Sequence, residues 1–351
     1  MSSSNDSPPE IWQLLSKNLK NTARDWFVQR AEKVGIDWYG LVAENKKDME
    51  RLKELYKDSS DNSIVYPKYY TQPFHGYDTG NLNWDAALEG EAATLSMAIN
   101  YWKEANPIKT QDWLRYNITN NIKQYISDYS PYLNVNSIMD VGCSVGISTE
   151  FLYKTFRDVE TFSGIDLSPF FIAMATLRSE KFDFPIKYFH KNAENMHSFS
   201  DNSYDLIVCN FIFHELPEEA SKNILREVNR ILKPGGVLAI IDLTPKVVND
   251  NFLVSRFRKW AFEVTEPHIY GYYKRDLKVM MEDSNFFDIN SVRNDPINTV
   301  WMGVKLDTVI SPEVVEKDEN EKEESLDEVK KEKKRYTLEV STEGTLLEYL
   351  V

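Results

Sequence analysis

Apolar positions in the first 130 residues recur at helical spacing. Ile11, Leu14, Leu15 and Leu19 form one stripe, and Met49, Leu52, Leu55 and Tyr56 form a second. Leu88, Ala92, Leu95, Ile99 and Trp102 make a third, and Leu114, Ile118, Ile122 and Tyr125 a fourth. Residues three and four apart share one face of a helix, so this part of the chain predicts a helical layer. One stretch breaks the pattern. YYTQPFHGYDTGNLNW, from Tyr69 to Trp84, is crowded with aromatics but has neither a helical period nor a strand's alternation.

From Ser137 the pattern changes to short apolar runs separated by amphipathic stretches. SIMDV, TFSGIDL, IKYFH, YDLIVCN, GVLAIID, FDINSV and TVWMGVKL read as strands. ISTEFLYKTF and EEASKNILREVNRIL read as helices, the latter with Ala220, Ile224, Leu225, Val228, Ile231 and Leu232 on one face. KPGG then predicts a tight turn that ends this helix. Strands alternating with helices over short links predict an α/β fold, Rossmann-like, with a mostly parallel seven-stranded sheet covered by helices. The last two runs leave no room for a helix between them and predict an antiparallel closing hairpin. Residues 311–336 are dense in charge of both signs and predict a disordered or solvated segment. The chain thus divides into an N-terminal helical cap with the aromatic segment (1–110), a core (111–308) and a charged tail (309–351).

Composition narrows the partners. The formal charge is −14, from 41 basic and 55 acidic residues. That balance disfavours non-specific attraction to nucleic acid or to anionic membranes. Cys143 and Cys209 are the only cysteines, too few for a disulfide framework or a zinc site, and no metal is expected. The N-terminus lacks a basic region followed by an apolar run, and no apolar run is long enough to span a bilayer. The expectation is a soluble, intracellular, cytoplasmic protein.

The first strand of the core runs into DVGCSVG, with Asp140, Gly142, Ser144 and Gly146. A glycine-rich turn between strand and helix lets a ligand approach the backbone closely. A dinucleotide fingerprint needs glycines at relative positions one, three and six. Here position three is Ser144 and position six is Ile147, so the turn is wrong for a pyrophosphate and disfavours an NAD-dependent oxidoreductase. It fits D-x-G-x-G-x-G with serine in place of the middle glycine. The second strand ends in Asp166, one strand–helix–strand step later, where a carboxylate can accept both hydroxyls of a ribose.

With IMDVGCSVGIST, GIDLSP, NAENM before YDLIVCNFIFHELP, and LREVNRILKPGGVLAIID in this order, the chain resembles the class I S-adenosylmethionine-dependent methyltransferases. The likeness is strongest to the small-molecule, quinone-biosynthesis branch. It covers roughly residues 137–243, and TEPH (265–268) is also similar. The N-terminal region looks similar to uncharacterised plant and cyanobacterial members. The resemblance implies S-adenosylmethionine as cofactor, with its methionyl part against Asp140, Gly142, Cys143, Ser144 and Gly146. Asp166 and Leu167 would hold the ribose. Asn192, Ala193 and Glu194 would lie beside the adenine, and Asn210 and Phe211 near the amino group. Many members have aspartate where Asn192 stands, and Ser144 is a second departure.

The implied activity is direct displacement of the methyl group onto a small aromatic or apolar acceptor. His214 and Glu215, after the fourth strand, are candidates for general base work, although packing and helix capping explain them equally well. The aromatic segment reads as a lid with Tyr70, His75 and Tyr77 near the reacting methyl, because aromatic faces favour a sulfonium. Trp260, His268 and Tyr270 are candidate acceptor contacts. Cys143 and Cys209 read as small core residues, and His190 and His197 as incidental. No nucleic-acid acceptor is expected, since the fourth strand continues CNFIF and lacks the Pro-Pro-aromatic signature of amino-methyltransferases on bases. A protein acceptor, or a cofactor-binding scaffold without turnover, stays open.

Overall fold

A computed structural model describes residues 24–98, 106–245 and 266–306, all within the first of two units, Met1–Leu306 and Asp307–Val351. The stripe at Ile11–Leu19, the charged segment 311–336 and Trp260 lie outside the described residues.

Five parallel strands carry the core. They are β1 (Ser137–Val141), β2 (Thr161–Asp166), β3 (Ile186–His190), β4 (Tyr204–Asn210) and β5 (Leu232–Leu243). β1 and β4 are buried along their whole length, because helices cover both faces. The sheet closes with β6 (Phe286–Arg293) and β7 (Asn298–Lys305), and its order is β3-β2-β1-β4-β5-β7-β6. The predicted hairpin is antiparallel, and β7 inserts between β5 and β6. The strand order reverses between β1 and β4, so the connections leaving their paired carboxyl ends part and leave a crevice there.

KPGG differs from the sequence expectation. The helix ends at Ile231, and Leu232 already pairs with Tyr204 as the first residue of β5. The ladder then shifts register before Leu206 pairs with Val237, with Gly235 at φ +75°. The glycines therefore absorb a bulge inside the strand rather than a separate turn.

The helices follow their local signals. A helix spans residues 24–33 (α1), followed by α2 (Trp38–Lys46), α3 (Met49–Ser59) and α4 (Trp84–Ala98). Asn106 caps α5 (Pro107–Tyr129) by accepting from the Lys109 amide, with Pro107 at the first helical position. α6 (Ile147–Thr155), α7 (Pro169–Phe182) and α8 (Glu218–Ile231) fill the crossovers. Leu114, Ile118, Ile122 and Tyr125 of α5 join the main core under the sheet, whereas α1, α2, α3 and α4 contribute to two smaller apolar clusters. Ile122 is fully buried there. Ile122→Ala should cost about 3 kcal/mol of stability, read as a lower urea midpoint at unchanged slope; an unchanged midpoint would mean that α5 is not part of the cooperative core.

Candidate functional site

At the crevice the chain turns sharply. Gly142 sits at φ +72°, and a Cβ there would come within 2.5 Å of Ile212 Cγ2, so no other residue fits without displacing that wall. The amides of Gly142 and Cys143 both donate to Ile165 O, which binds the turn to the end of β2. Ser144 stands at φ +50° and fills the middle glycine's position in the conformation a glycine would take. Its amide donates to Asp166 Oδ2 at 2.9 Å, while Asp166 Oδ1 accepts from the Ser168 amide at 2.8 Å. Tyr70 Oη lies 3.5 Å from the same Oδ1. Burial raises the Asp166 pKa to about 6 against the pull of these donors.

Seven described residues other than glycine have positive φ. Four are Asp183, Asn202, Asn285 and Asp288, types that tolerate this region. The other three are His75, Ser144 and Phe211, and all three line one cavity of about 410 Å³. That volume suits a small-molecule site, for which roughly 300–1,000 Å³ is usual. Histidine, like aspartate and asparagine, is enriched at such φ, so Ser144 and Phe211 are the uncommon types, and they motivate a functional reading of this wall. A smaller cavity adjoins it, lined by Leu167, Asn192, Ala193, Leu216, Pro267 and His268. The two share Asn81, Gly142, Asp166, Ile212 and Glu215.

The aromatic segment is held over this crevice. It contains turns and a single Phe74–Tyr77 bridge, with no helix or strand until α4. Tyr69 Oη donates to Glu194 Oε1 at 2.6 Å, Tyr77 Oη donates to Glu89, and Ser168 Oγ donates to Asn81 O at 2.7 Å. Tyr70 and Phe74 line the smaller cavity, and His75 and Tyr77 the larger.

Residues 139–240 match the family model described as "Methyltransferase domain". The chain is 27% identical over 144 residues to a ubiquinone biosynthesis O-methyltransferase of Proteus mirabilis, covering 40% of this chain and 54% of that one. It is 30% identical over 157 residues to the enzyme of that name from Pseudomonas paraeruginosa, covering 42% and 66%. A solved phosphoethanolamine N-methyltransferase 2 of Haemonchus contortus, in complex with S-adenosylmethionine, aligns at 14% identity and TM-score 0.43, over 66% of this chain and 62% of that one. Residues 139–240 are a methyltransferase domain of the class I S-adenosylmethionine-dependent kind. The chain spans 54% to 66% of the lengths of these two curated relatives.

S-adenosylmethionine is the cofactor of such a domain, and the methyltransferase crevice has the chemistry to take it. The Gly142 backbone leaves a cradle that a side chain would fill, and Asp166 offers carboxylate acceptors between an apolar slot and the larger cavity. Of the residues expected at the cofactor, Gly142, Cys143, Ser144, Asp166, Leu167, Asn192, Ala193, Asn210 and Phe211 line the two cavities. Asp140, Gly146 and Glu194 do not. Asp140 is fully buried and accepts from Ser148, Thr149 and Asn210, so it joins the start of α6 to β1 and β4. Gly146 caps α6 at φ +86°, where a Cβ would meet Tyr188 Oη at 2.7 Å. Glu194 is occupied by Tyr69 and by Asn223 Nδ2 at 2.8 Å. Burial raises the pKa of both cysteine thiols.

Of the expected acceptor contacts, His268 lines the smaller cavity, whereas Tyr270 is half-exposed and lines neither. His190 is engaged by the Asp61 amide, Tyr66 Oη and Leu167 O, and His197 is exposed. His214 is buried with Nδ1 2.7 Å from Asp242 Oδ1, and its amide donates to Oδ2 of the same carboxylate. Burial opposes its charge, but Asp242, then Glu266 and Glu215, outweigh burial and raise its pKa to about 9. At neutral pH His214 is therefore an imidazolium that gives a proton more readily than it takes one. Burial raises Glu215 to about 7, which places its titration near neutrality.

Sequence reasoning missed Asp242, Glu266, Glu89 and Arg115, of which all but Asp242 line the larger cavity. TEPH marked the neighbourhood of Glu266. The others sit within ordinary strand or helix patterns and give no local signal. Asp242→Asn leaves the buried His214 cation without its anion and should destabilise the protein by about 3 kcal/mol in urea unfolding. Unchanged stability would show that the folded state does not hold His214 and Asp242 as an ion pair.

Proposed function

We propose that the protein transfers the methyl group of S-adenosylmethionine to a small aromatic or apolar acceptor. The observation that carries this reading is the pair of adjoining cavities meeting at Gly142 and Asp166, at the carboxyl ends of β1, β2 and β4. In this reading Asp166 accepts the ribose hydroxyls, the slot beside Leu167, Asn192 and Ala193 takes the adenine, and the Gly142–Ser144 backbone faces the methionyl part. The cofactor supplies an electrophilic methyl on a sulfonium. What the chain must do is align an acceptor and exclude water.

The larger cavity supports a small acceptor. Its walls carry Trp26, Phe27, Trp38, Met97 and Phe211, with polar groups such as Glu89 and Arg115 set among them. An O-methyltransferase reading draws support from the relatives' names, and the oxygen acceptor is part of the proposal. Glu215 lines both cavities and would stand beside the acceptor's oxygen, with the positive charge of His214 next to it. Residues 69–84 act as a lid over both cavities within the N-terminal cap (1–110), on a core of 111–308 followed by a tail of 309–351. No helix among the described residues is long and apolar enough to cross a membrane. Two free buried thiols support a reducing compartment for the protein.

Calorimetric titration with S-adenosylhomocysteine tests the cofactor site, with NADH as the negative control. Micromolar binding is expected, weakened at least about tenfold in Asp166→Ala, which corresponds to roughly 1.4 kcal/mol. The pH dependence follows from the raised Asp166 pKa. Above the unfolded value of 3.8 the folded chain holds this proton more tightly, so its stabilising contribution is lost as pH rises through about 6. The ionised form offers more acceptor capacity to the ribose, so affinity should rise through pH 6 and level off above it. Asp166→Asn should flatten that profile. Binding that is insensitive to both pH and variant would overturn the ribose assignment. Binding without turnover on any phenolic acceptor would favour a regulatory or scaffold protein.

A further inference from the structure

Three side chains from distant parts of the chain converge on the wall of the larger cavity. His75 comes from the aromatic segment, Glu215 from the one-turn 3-10 helix Phe213–Glu215, and Glu266 from the approach to the one-turn helix Ile269–Tyr272. His75 Nε2 lies 3.0 Å from Glu266 Oε1 and 3.4 Å from Glu215 Oε1. One donor atom from each of the three lies within 4.8 Å of the other two. His75 is fixed from behind, with Nδ1 3.4 Å from Asn81 Oδ1 and its backbone held between the reciprocal Phe74–Tyr77 bonds.

Hydrogen bonding within the cluster leaves a deficit. Two carboxylates brought together away from water need positive charge beside them, and His75, whose pKa Glu266 and Glu215 raise to about 9 against burial, can supply one such charge. One imidazole N–H can point well at a single oxygen. Glu266 is only 3% exposed, and its Oε2 has no hydrogen-bond partner among the described residues. A buried carboxylate oxygen with no donor is costly unless something else neutralises it. If His75 gives its Nδ1–H to Asn81, the lone pair of Nε2 faces the same space as the two carboxylates, the arrangement in which a histidine ligates a metal.

We infer that His75, Glu215 and Glu266 bind a divalent cation of the Mn²⁺ or Zn²⁺ class. One nitrogen and two carboxylate oxygens suit those ions better than Ca²⁺ or Mg²⁺, which prefer all-oxygen shells. Three protein ligands with the remaining positions open to a cavity are the pattern of a catalytic rather than a structural site. The open positions face the volume assigned to the acceptor. That assigns the acceptor's class: an oxygen donor such as a phenol or enol, whose proton the cation would make easier to lose. This last step rests on the methyl-transfer reading, whereas the cation site does not. It also departs from the expectation of no metal, because His75, Glu215 and Glu266 lie far apart in the sequence and meet only in the fold.

The full chain, stripped with chelator and dialysed, is titrated with MnCl₂ while free Mn²⁺ is followed by electron paramagnetic resonance, and separately with ZnCl₂ by calorimetry. The expected result is one tight site per chain for at least one of the two ions. Glu266→Gln and Glu215→Gln should each weaken it at least about tenfold, and His75→Gln likewise. Circular dichroism and melting temperature identify any variant that has lost its fold, and the remaining variants then decide. The absence of a stoichiometric site for both ions overturns the inference. So does binding that persists unchanged in the folded carboxamide variants, which would place it among acidic residues elsewhere. Whether the wild type binds S-adenosylhomocysteine bears on the methyl-transfer reading alone.

Discussion

The crevice depends on one buried carboxylate. Asp166 ends β2, takes the Ser144 amide on one oxygen and the Ser168 amide on the other, and so ties the glycine turn to the start of α7. Ser168 in turn caps α7 and donates to Asn81 O, which brings the aromatic segment into the same network. One side chain therefore sets the distance between the turn, the next crossover and the segment that covers them. The cost is a carboxylate held out of water, visible in its raised pKa. A ligand that brings hydroxyl donors to that carboxylate would relieve the cost, which is how a site can be built before its occupant arrives.

Around this point the backbone carries further strain. His75, Ser144 and Phe211 hold left-handed backbone, uncommon for serine and phenylalanine, and they face a common space. Each is held by ordinary hydrogen bonds: Ser144 by Asp166, Phe211 by Ile241 O, and His75 by the turn between Phe74 and Tyr77. A rigid sheet beneath lets these bonds over-determine the geometry. The aromatics of the irregular stretch 69–84 have a physical role. Without a ladder of its own, the stretch is held by tyrosine hydroxyls reaching Glu194, Glu89 and the edge of Asp166.

The fold was legible because parallel strands buried on both faces read as continuous apolar runs, and all seven appear in the structure within a few residues of the predicted bounds. The bulge at KPGG was not legible, since a glycine-rich stop looks the same whether it ends a helix or kinks the next strand. In the site, whatever lies within one local motif was readable: Gly142, Ser144 and Asp166. What depends on distant chain segments was not. Asp242 reads as an ordinary strand residue until His214 is found beside it, and TEPH marks the neighbourhood of Glu266 but not its meeting with His75 and Glu215. Asp140 shows the opposite case. It heads the motif, yet its carboxylate is spent on Ser148, Thr149 and Asn210 behind the wall.

The central claim is that one crevice, floored by the Gly142–Ser144 turn and roofed by residues 69–84, binds the cofactor. Hydrogen–deuterium exchange with and without S-adenosylhomocysteine tests it most directly, because it reads floor and roof in one experiment. The account predicts slowed exchange in peptides covering 69–84, 140–146 and 190–194, with β6 and β7 unchanged. Protection confined to other segments, or none at all under saturating ligand, would contradict it.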